Sequence, residues 1–280
     1  MVDLLITGVH GQLGRALERL ARQRGLTVVG HDLDTLDIRD RSAVEELVGR
    51  VEPKSVINCA AFTAVDACEA DEAAATAVNG TAVGHLAAAC NAAGALLVHL
   101  STDYVFAGDG TRPYTESDPV APASAYGRSK LEGERLARTA EHHLITRTAW
   151  LYGHGGANFV EAIRRQIDGG ASSLRVVADQ IGSPTFCDDL AAALLELVDS
   201  GARGVVHAVN SGTTSWHGFA VEIARLLEAE VVVHAVSTAD YPRPARRPAY
   251  SVLDTSRLAS LIGRRLPPWQ DALARYLGAP

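Results

Sequence analysis

Near the start of the chain an apolar run, Leu4-Leu5-Ile6, ends in Thr7-Gly8-Val9-His10-Gly11-Gln12-Leu13-Gly14, and Leu13, Leu17 and Leu20 continue at helical spacing. Three glycines, three residues apart between a buried strand and a helix, permit a tight turn that a pyrophosphate can approach closely. The free amides of the helix N-terminus attract that anion. Glycine trios also occur in ordinary turns, and it is the next segment that gives this one meaning. A second strand, Leu26 to Gly30, ends at His31-Asp32, where an acidic side chain suits a ribose 2′-hydroxyl. Strand, glycine turn, helix, strand and acid in this order predict a dinucleotide-binding first half. Asp32 repels a 2′-phosphate, whereas Arg15 and Arg39 can offset the repulsion, so NADH and NADPH both stay open.

The alternation continues. Asp40 is placed to cap a helix from Ser42 to Val51. Val56-Ile57-Asn58-Cys59-Ala60-Ala61 reads as a third strand whose small C-terminal residues leave room for a flat ligand. Ala70 to Ala93 reads as one long alanine-rich helix containing Asn79. Leu96 to Leu100 is a fourth buried strand, ending in Ser101-Thr102-Asp103-Tyr104-Val105-Phe106. Hydroxyls at such a strand end point into the ligand crevice, so Ser101 or Thr102 is a candidate to bind a substrate oxygen. Gly108 to Pro122, rich in Gly and Pro, reads as a surface loop. The pattern predicts an α/β fold, a Rossmann-type doubly wound parallel sheet.

After that loop, Ser124-Ala125-Tyr126-Gly127-Arg128-Ser129-Lys130 opens a helix on which Tyr126 and Lys130 share a face. A phenol with its ordinary pKa near 10 exchanges protons poorly at neutral pH. A cation about 4 Å away, at an effective dielectric near 20, is worth about 4 kcal/mol, or about three pKa units, and is expected to bring the phenol towards neutrality. Lys130 and Lys54 are the only lysines in a chain that otherwise uses Arg, which suits a place requiring a compact ammonium.

Composition narrows the function classes. With 280 residues, 47% hydrophobic and 21% charged, the chain is long and apolar enough for one large domain or two closely joined ones. A net charge of −7 gives no electrostatic case for nucleic acid or an anionic membrane surface. Cys59, Cys68, Cys90 and Cys187 form no CxxC pair and read as free thiols, and the histidines show no metal-binding spacing. The N-terminal run carries no basic segment with a long apolar stretch behind it. Neither a signal peptide nor a membrane span is predicted, and a cytoplasmic location is expected.

Thr7-Gly8-x-x-Gly11-x-x-Gly14, a strand-end Ser/Thr and Tyr126-x-x-x-Lys130 in that order resemble an extended short-chain dehydrogenase/reductase. The chain is more closely similar to the dTDP-4-dehydrorhamnose reductase branch. The matching runs include Ser101-Thr102-Asp103-Tyr104-Val105-Phe106, Arg147-Thr148-Ala149-Trp150-Leu151-Tyr152-Gly153, Asp179-Gln180-Ile181-Gly182-Ser183-Pro184-Thr185 and Arg247-Pro248-x-x-Ser251-x-Leu253-Asp254. They spread over nearly the whole chain. The resemblance implies hydride transfer from NADPH or NADH to the C4 ketone of a dTDP-linked keto sugar, with Tyr126 as proton donor, Lys130 on the nicotinamide ribose and Thr102 on the keto oxygen. It further implies that Gly8, Gly11, Gln12, Leu13, Asp32, Asp37, Ile38, Ala60 and Ala61 line the cofactor, and that Thr63, Val65, Asp103, Tyr104 and Trp150 face the sugar. Arg247, in the basic loop Pro242 to Pro248, is the expected pyrophosphate contact. Where the branch has Ala and Tyr or His, this chain has Cys59 and Phe62, and Phe62 offers no polar group.

Some relatives use Mg²⁺ and pair as homodimers, but neither metal ligands nor an interface is identifiable in the sequence. The same branch resembles the regulatory subunit of methionine adenosyltransferase, so a non-catalytic binding role is an alternative. A 4-ketoreductase making another deoxysugar is a further one. The expected organisation is an NAD(P)-binding portion over residues 1–150, with 170–200 contributing, and a mainly substrate-binding portion over 151–280.

Overall fold

A computed structural model describes residues 2–278 of the chain; residues 1, 279 and 280, the outer ends of the two expected portions, lie outside it. β1 (Val2–Thr7), β2 (Val28–His31), β3 (Pro53–Asn58), β4 (Leu96–Thr102), β5 (His143–Thr148) and a sixth strand, Gly204–His207, form one sheet in the order sixth–β5–β4–β3–β1–β2. All its pairings are parallel. Parallel neighbours need crossover connections, and the helices that supply them bury both faces.

β1 shows the result residue by residue. Leu4 and Ile6 pack on one face with Leu13 and Leu17 of α1 (Gln12–Gln23) and with Leu190 and Leu194 of the Cys187–Asp199 helix. Leu5 points the other way, into Val44 and Leu47 of α2 (Arg41–Val51), beside Val56 and Leu97. Burial on both sides is why this strand is continuously apolar rather than alternating. The sheet order reverses between β1 and β3, and a crevice opens beyond their carboxyl ends. This is the doubly wound α/β sheet expected from the sequence.

The remaining elements gather to one side. Ser173–Val177 pairs in parallel with Val232–Val236, outside the central sheet. The helices Phe159–Asp168, Trp216–Leu226 and Trp269–Leu277 close a second core around Tyr152, Phe186, Phe219 and Leu273.

The alanine-rich stretch is not one helix. α3 (Val65–Ala70) stops, Asp71 caps α4 (Glu72–Thr76) by accepting from the Ala74 amide, and a π-helical turn at Ala77–Thr81 precedes α5 (Ala82–Ala93). The cause is Asn79, fully buried within that turn. Its side chain accepts from the Phe62 amide at 2.8 Å, and donates to the Phe62 carbonyl at 3.0 Å and the Ser129 hydroxyl at 3.0 Å. The widened turn lets one side chain tie the segment after β3 to a helix that comes later in the chain. That helix, α6 (Ala125–Ala137), is capped by Ser124, whose hydroxyl accepts from the Gly127 amide, and it turns Lys130 and Glu134 into the interior.

Candidate active site

A cavity of about 490 Å³ lies at the carboxyl ends of β1, β3 and β4. Its floor is the glycine turn. Gly8 has φ +71°, and a Cβ there would stand 2.6 Å from the Ala60 amide nitrogen, so only glycine lets this turn lie against the end of β3. α1 begins beyond Gly11 with no side chain capping it, and its first-turn amides are left for an anion. Gly8, Gly11, Gln12 and Leu13 line the cavity with Ala61. An uncapped helix start over a close-packed glycine turn fits the pyrophosphate of a nicotinamide dinucleotide.

The other expected cofactor residues stand outside this cavity. The Asp32 carboxylate, just past β2, accepts from the His10 amide and the Leu33 amide, both at 2.8 Å, and so braces the glycine turn. Asp37 is ion-paired with Arg39 at 2.6 Å, and that guanidinium holds its carboxyl below the usual range. Arg15 donates to the His10 carbonyl at 2.8 Å. Both cations considered as partners for a 2′-phosphate therefore already have partners of their own. Ile38 is buried in the core with Leu36 and Val44, and the Ala60 amide donates to Asn58 Oδ1 at 3.2 Å.

Thr102, Tyr126 and Lys130 meet in the same cavity, with Thr63, Val65, Asp103 and Tyr104 around them. Alternation along β4 separates the two hydroxyl candidates. Ser101 donates to Glu134 Oε1 at 2.6 Å, on the α6 side, and is occupied there. Thr102 donates to Asp103 Oδ1 at 2.9 Å and can rotate towards a ligand. Burial pushes the Asp103 carboxyl up to about 6, against the pull of hydrogen bonds from Ser251 and Thr102. Lys130 is 3% exposed, its Nζ donates to the Leu100 carbonyl at 2.6 Å, and burial lowers its pKa to about 8.

Tyr126 overturns one expectation. Its phenol is pushed up, not down, first by burial and then by the Asp103 charge, with only the neighbouring Thr102 hydroxyl acting downwards. The pairwise reckoning with Lys130 left out the cost of taking a phenolate out of water. A phenol with a raised pKa is fully protonated at neutral pH, the form a proton donor needs.

Trp150 closes the cavity with an uncommon backbone, φ +49°. Its indole lies 3.5 Å from that of Trp216, the rings 6° from parallel, and it leans on Gly182, where a Cβ would come within 2.5 Å of the ring. Strained backbone held by surrounding packing gathers at functional sites. Trp216 and Tyr104 also border a second cavity of about 570 Å³, which carries Arg175, Arg243, Arg246 and Arg247. Arg247 pairs with Asp66 at 2.9 Å through Nη2, while its buried Nη1 has no hydrogen-bond partner among the described residues. Such a donor fits an anionic ligand.

Sequence reasoning missed Trp216, Asp66 and Glu134. The stack of Trp216 on Trp150 joins two segments far apart in the chain, which no local pattern connects. Phe62, which lacks a polar group, packs its ring with Cys68, Ala75 and Tyr126 while its backbone holds Asn79. Among the described residues no group of three or more His, Cys, Asp or Glu side chains is arranged to hold a metal ion, and no helix is long and apolar enough to cross a membrane.

The family described as RmlD substrate binding domain matches residues 2–279. The chain is 44% identical to a dTDP-4-dehydrorhamnose reductase of Streptomyces griseus, over 98% of this chain and 93% of that protein. It is 45% identical to a probable dTDP-4,6-dihydroxy-2-methyloxan-3-one 4-ketoreductase of Streptomyces antibioticus, over 96% of this chain and 92% of the relative. The crystal structure of dTDP-4-dehydrorhamnose reductase from Bacillus anthracis in complex with NADP superposes with a TM-score of 0.95 at 36% identity, covering 99% of this chain and 98% of that one. By sequence and fold, the chain belongs to the dTDP-4-dehydrorhamnose reductase family.

Proposed function

We propose that this protein reduces the C4 ketone of a dTDP-linked 4-keto-6-deoxyhexose with NADPH or NADH, taking dTDP-4-dehydrorhamnose to dTDP-L-rhamnose. The observation that carries this reading is the meeting of Thr102, Tyr126 and Lys130 above an uncapped glycine turn, beside a second cavity rich in arginine. The reduced nicotinamide supplies the hydride. The Thr102 hydroxyl turns from Asp103 to the keto oxygen, and the Tyr126 phenol gives its proton to the forming alkoxide. Lys130, as an ammonium, holds ribose hydroxyls and favours the phenolate that remains. Trp150 and Trp216 wall the sugar, and the arginines take the diphosphate. The portion around the central sheet holds the cofactor and the smaller C-terminal portion holds most of the substrate.

The test is oxidation of NADH and NADPH in the presence of enzymatically generated dTDP-4-dehydrorhamnose, followed by loss of nicotinamide absorbance, with the product identified by NMR. Cofactor oxidation yielding dTDP-L-rhamnose supports the reading. Bound cofactor with no turnover of this sugar sinks it and directs attention to another keto sugar, the second reading favoured by the 45% identity to the Streptomyces antibioticus protein.

Two variants test the assigned contacts. Arg247→Ala removes the one guanidinium nitrogen that, among the described residues, is buried without a hydrogen-bond partner, and KM for the nucleotide sugar should rise by about tenfold or more, since hydrogen bonds to charged groups are worth about 1.5–3 kcal/mol. The cofactor Kd should not change; an unchanged KM would remove Arg247 from the site. Asp32→Asn keeps an acceptor for the His10 amide but removes the negative charge beside the expected ribose. The ratio of NADPH to NADH affinity, read by fluorescence titration, should rise about tenfold as the like-charge repulsion disappears. A constant ratio would mean that Asp32 does not face the 2′ position.

A further inference from the structure

The basic loop beside the arginine-rich cavity is seated on a single carboxylate. Asp66 lies in the first turn of α3, on the segment whose Thr63 and Val65 line the cavity that holds Tyr126. Its Oδ1 accepts from the Ala245 amide at 3.2 Å and pairs with Arg247 Nη2 at 2.9 Å, and its Oδ2 lies 3.9 Å from Arg243 Nη1. Among the described residues, every hydrogen bond and ion pair that residues 242–248 make beyond the neighbouring Tyr241 goes to Asp66. Ala245 is 2% exposed, whereas Pro242, Arg243, Pro244 and Arg246 around it are exposed. The loop from the substrate side is thus fastened at one point to the segment that follows β3.

What that contact does follows from the donors it uses and those it leaves. Pro242, Pro244 and Pro248 stiffen the loop but have no backbone N–H, so the Ala245 amide and the arginines make the attachment. Arg247 is a long side chain with many rotamers, and Asp66 engages its Nη2 while its buried Nη1 has no hydrogen-bond partner among the described residues. The carboxylate does not cancel the charge of the site. Arg175, Arg243, Arg246 and Arg247 line this cavity, Asp66 is the one acidic residue among its described lining, and the space stays positive towards an anion. Asp66 therefore contributes orientation. A guanidinium fixed before the ligand arrives is spared the cost of being ordered on binding.

We propose that Asp66 is a positioning residue for the substrate's diphosphate: by holding Arg247 Nη2 and the Ala245 amide together, it sets Arg247 in the cavity wall with Nη1 left for the anion. This rests on the reading of Arg247 as the diphosphate contact, and the test separates the two. The measurement is calorimetric titration of dTDP into the wild type, Asp66→Ala, Arg247→Ala and the double variant, with the cofactor Kd confirming that each is folded. The Asp66 side chain is 30% exposed and its removal leaves no buried cavity. Asp66→Ala should weaken dTDP about tenfold, as Arg247 loses the charged hydrogen bond that orients it. In the Arg247→Ala background the same change should cost less than about twofold, because residues that act through one contact are not additive. Asp66→Asn, which keeps an oxygen able to accept from both donors, should bind dTDP within about threefold of the wild type. An equal loss with and without Arg247 overturns the proposal, since it would mean that Asp66 merely holds the loop. Tighter binding by Asp66→Ala and Asp66→Asn overturns it as well, and makes the carboxylate a repulsive charge. If Arg247→Ala binds dTDP as tightly as the wild type, the fault lies earlier, in the diphosphate contact itself, and the role of Asp66 falls with it.

Discussion

Tyr126→Phe should leave a folded protein that binds cofactor with unchanged Kd and turns over about 10²–10⁴-fold more slowly, the range lost when a positioned general acid is removed. The substitution takes away one oxygen and little else. The ring packs with Phe62, Cys68, Ala75 and Ala125, and meets Tyr104 edge-on with centroids 5.5 Å apart; all of these contacts survive in phenylalanine. Stability should therefore fall by only about 1 kcal/mol, the worth of the hydrogen bond with Thr102 that the phenol gives up. The chemical loss is large because the forming alkoxide needs a proton from inside a cavity, and the buried phenol supplies it in the protonated form that its raised pKa guarantees. Single-turnover measurement of cofactor oxidation isolates this step from product release. If turnover persisted with the fold intact, the donor would have to be another group in the cavity, and Tyr104, also buried beside Asp103, would be the next to replace.

How far the sequence revealed this site depends on how local each feature is. The glycine turn is legible because the strand before it, the helix after it and the acid past the second strand are written in chain order, and their geometry follows from short-range backbone constraints. The same holds for Tyr126 and Lys130, joined by one turn of helix. The choice between Ser101 and Thr102 lies a step beyond: alternation puts them on opposite faces of β4, but only packing against α6 shows that Ser101 meets Glu134. The direction of the Tyr126 shift was missed because desolvation depends on everything stacked around the ring, not on the nearest cation in sequence. Asn79 was seen as a helix residue, yet its hydrogen bonds to Phe62 and Ser129 impose the π-turn that breaks the helix. The stack of Trp150 on Trp216 joins segments that no periodicity connects, and so does the pairing of Glu134 with Arg147.

Lys130→Met should abolish most turnover and at the same time make the protein more stable. Activity should fall by about 10²-fold or more, because the phenolate left on Tyr126 and the ribose lose the one compact cation in the cavity. The gain in stability follows from the sign of the lysine's shift. Its pKa falls from 10.5 to about 8 on folding, so the folded state binds this proton less tightly than the unfolded chain does. Below pH 8 the group is protonated in both states and the folded protein carries the full cost, at most about 3 kcal/mol at 1.36 kcal/mol per unit. Between pH 8 and 10.5 the folded state sheds the proton first and the cost fades; above 10.5 both states are neutral and it is gone. Methionine removes the charge but leaves the Leu100 carbonyl without its 2.6 Å donor. Losing that charge-assisted bond takes back about 1.5–3 kcal/mol. The net gain near neutral pH should be at most about 1.5 kcal/mol, a rise in Tm of up to a few degrees. Denaturant melts at pH 7 and pH 10.5 check the sign: the advantage of the variant should be largest at the lower pH and shrink at the higher one. A variant less stable than the original at pH 7 would show that Lys130 stabilises the fold, and that its charge costs the protein nothing to bury.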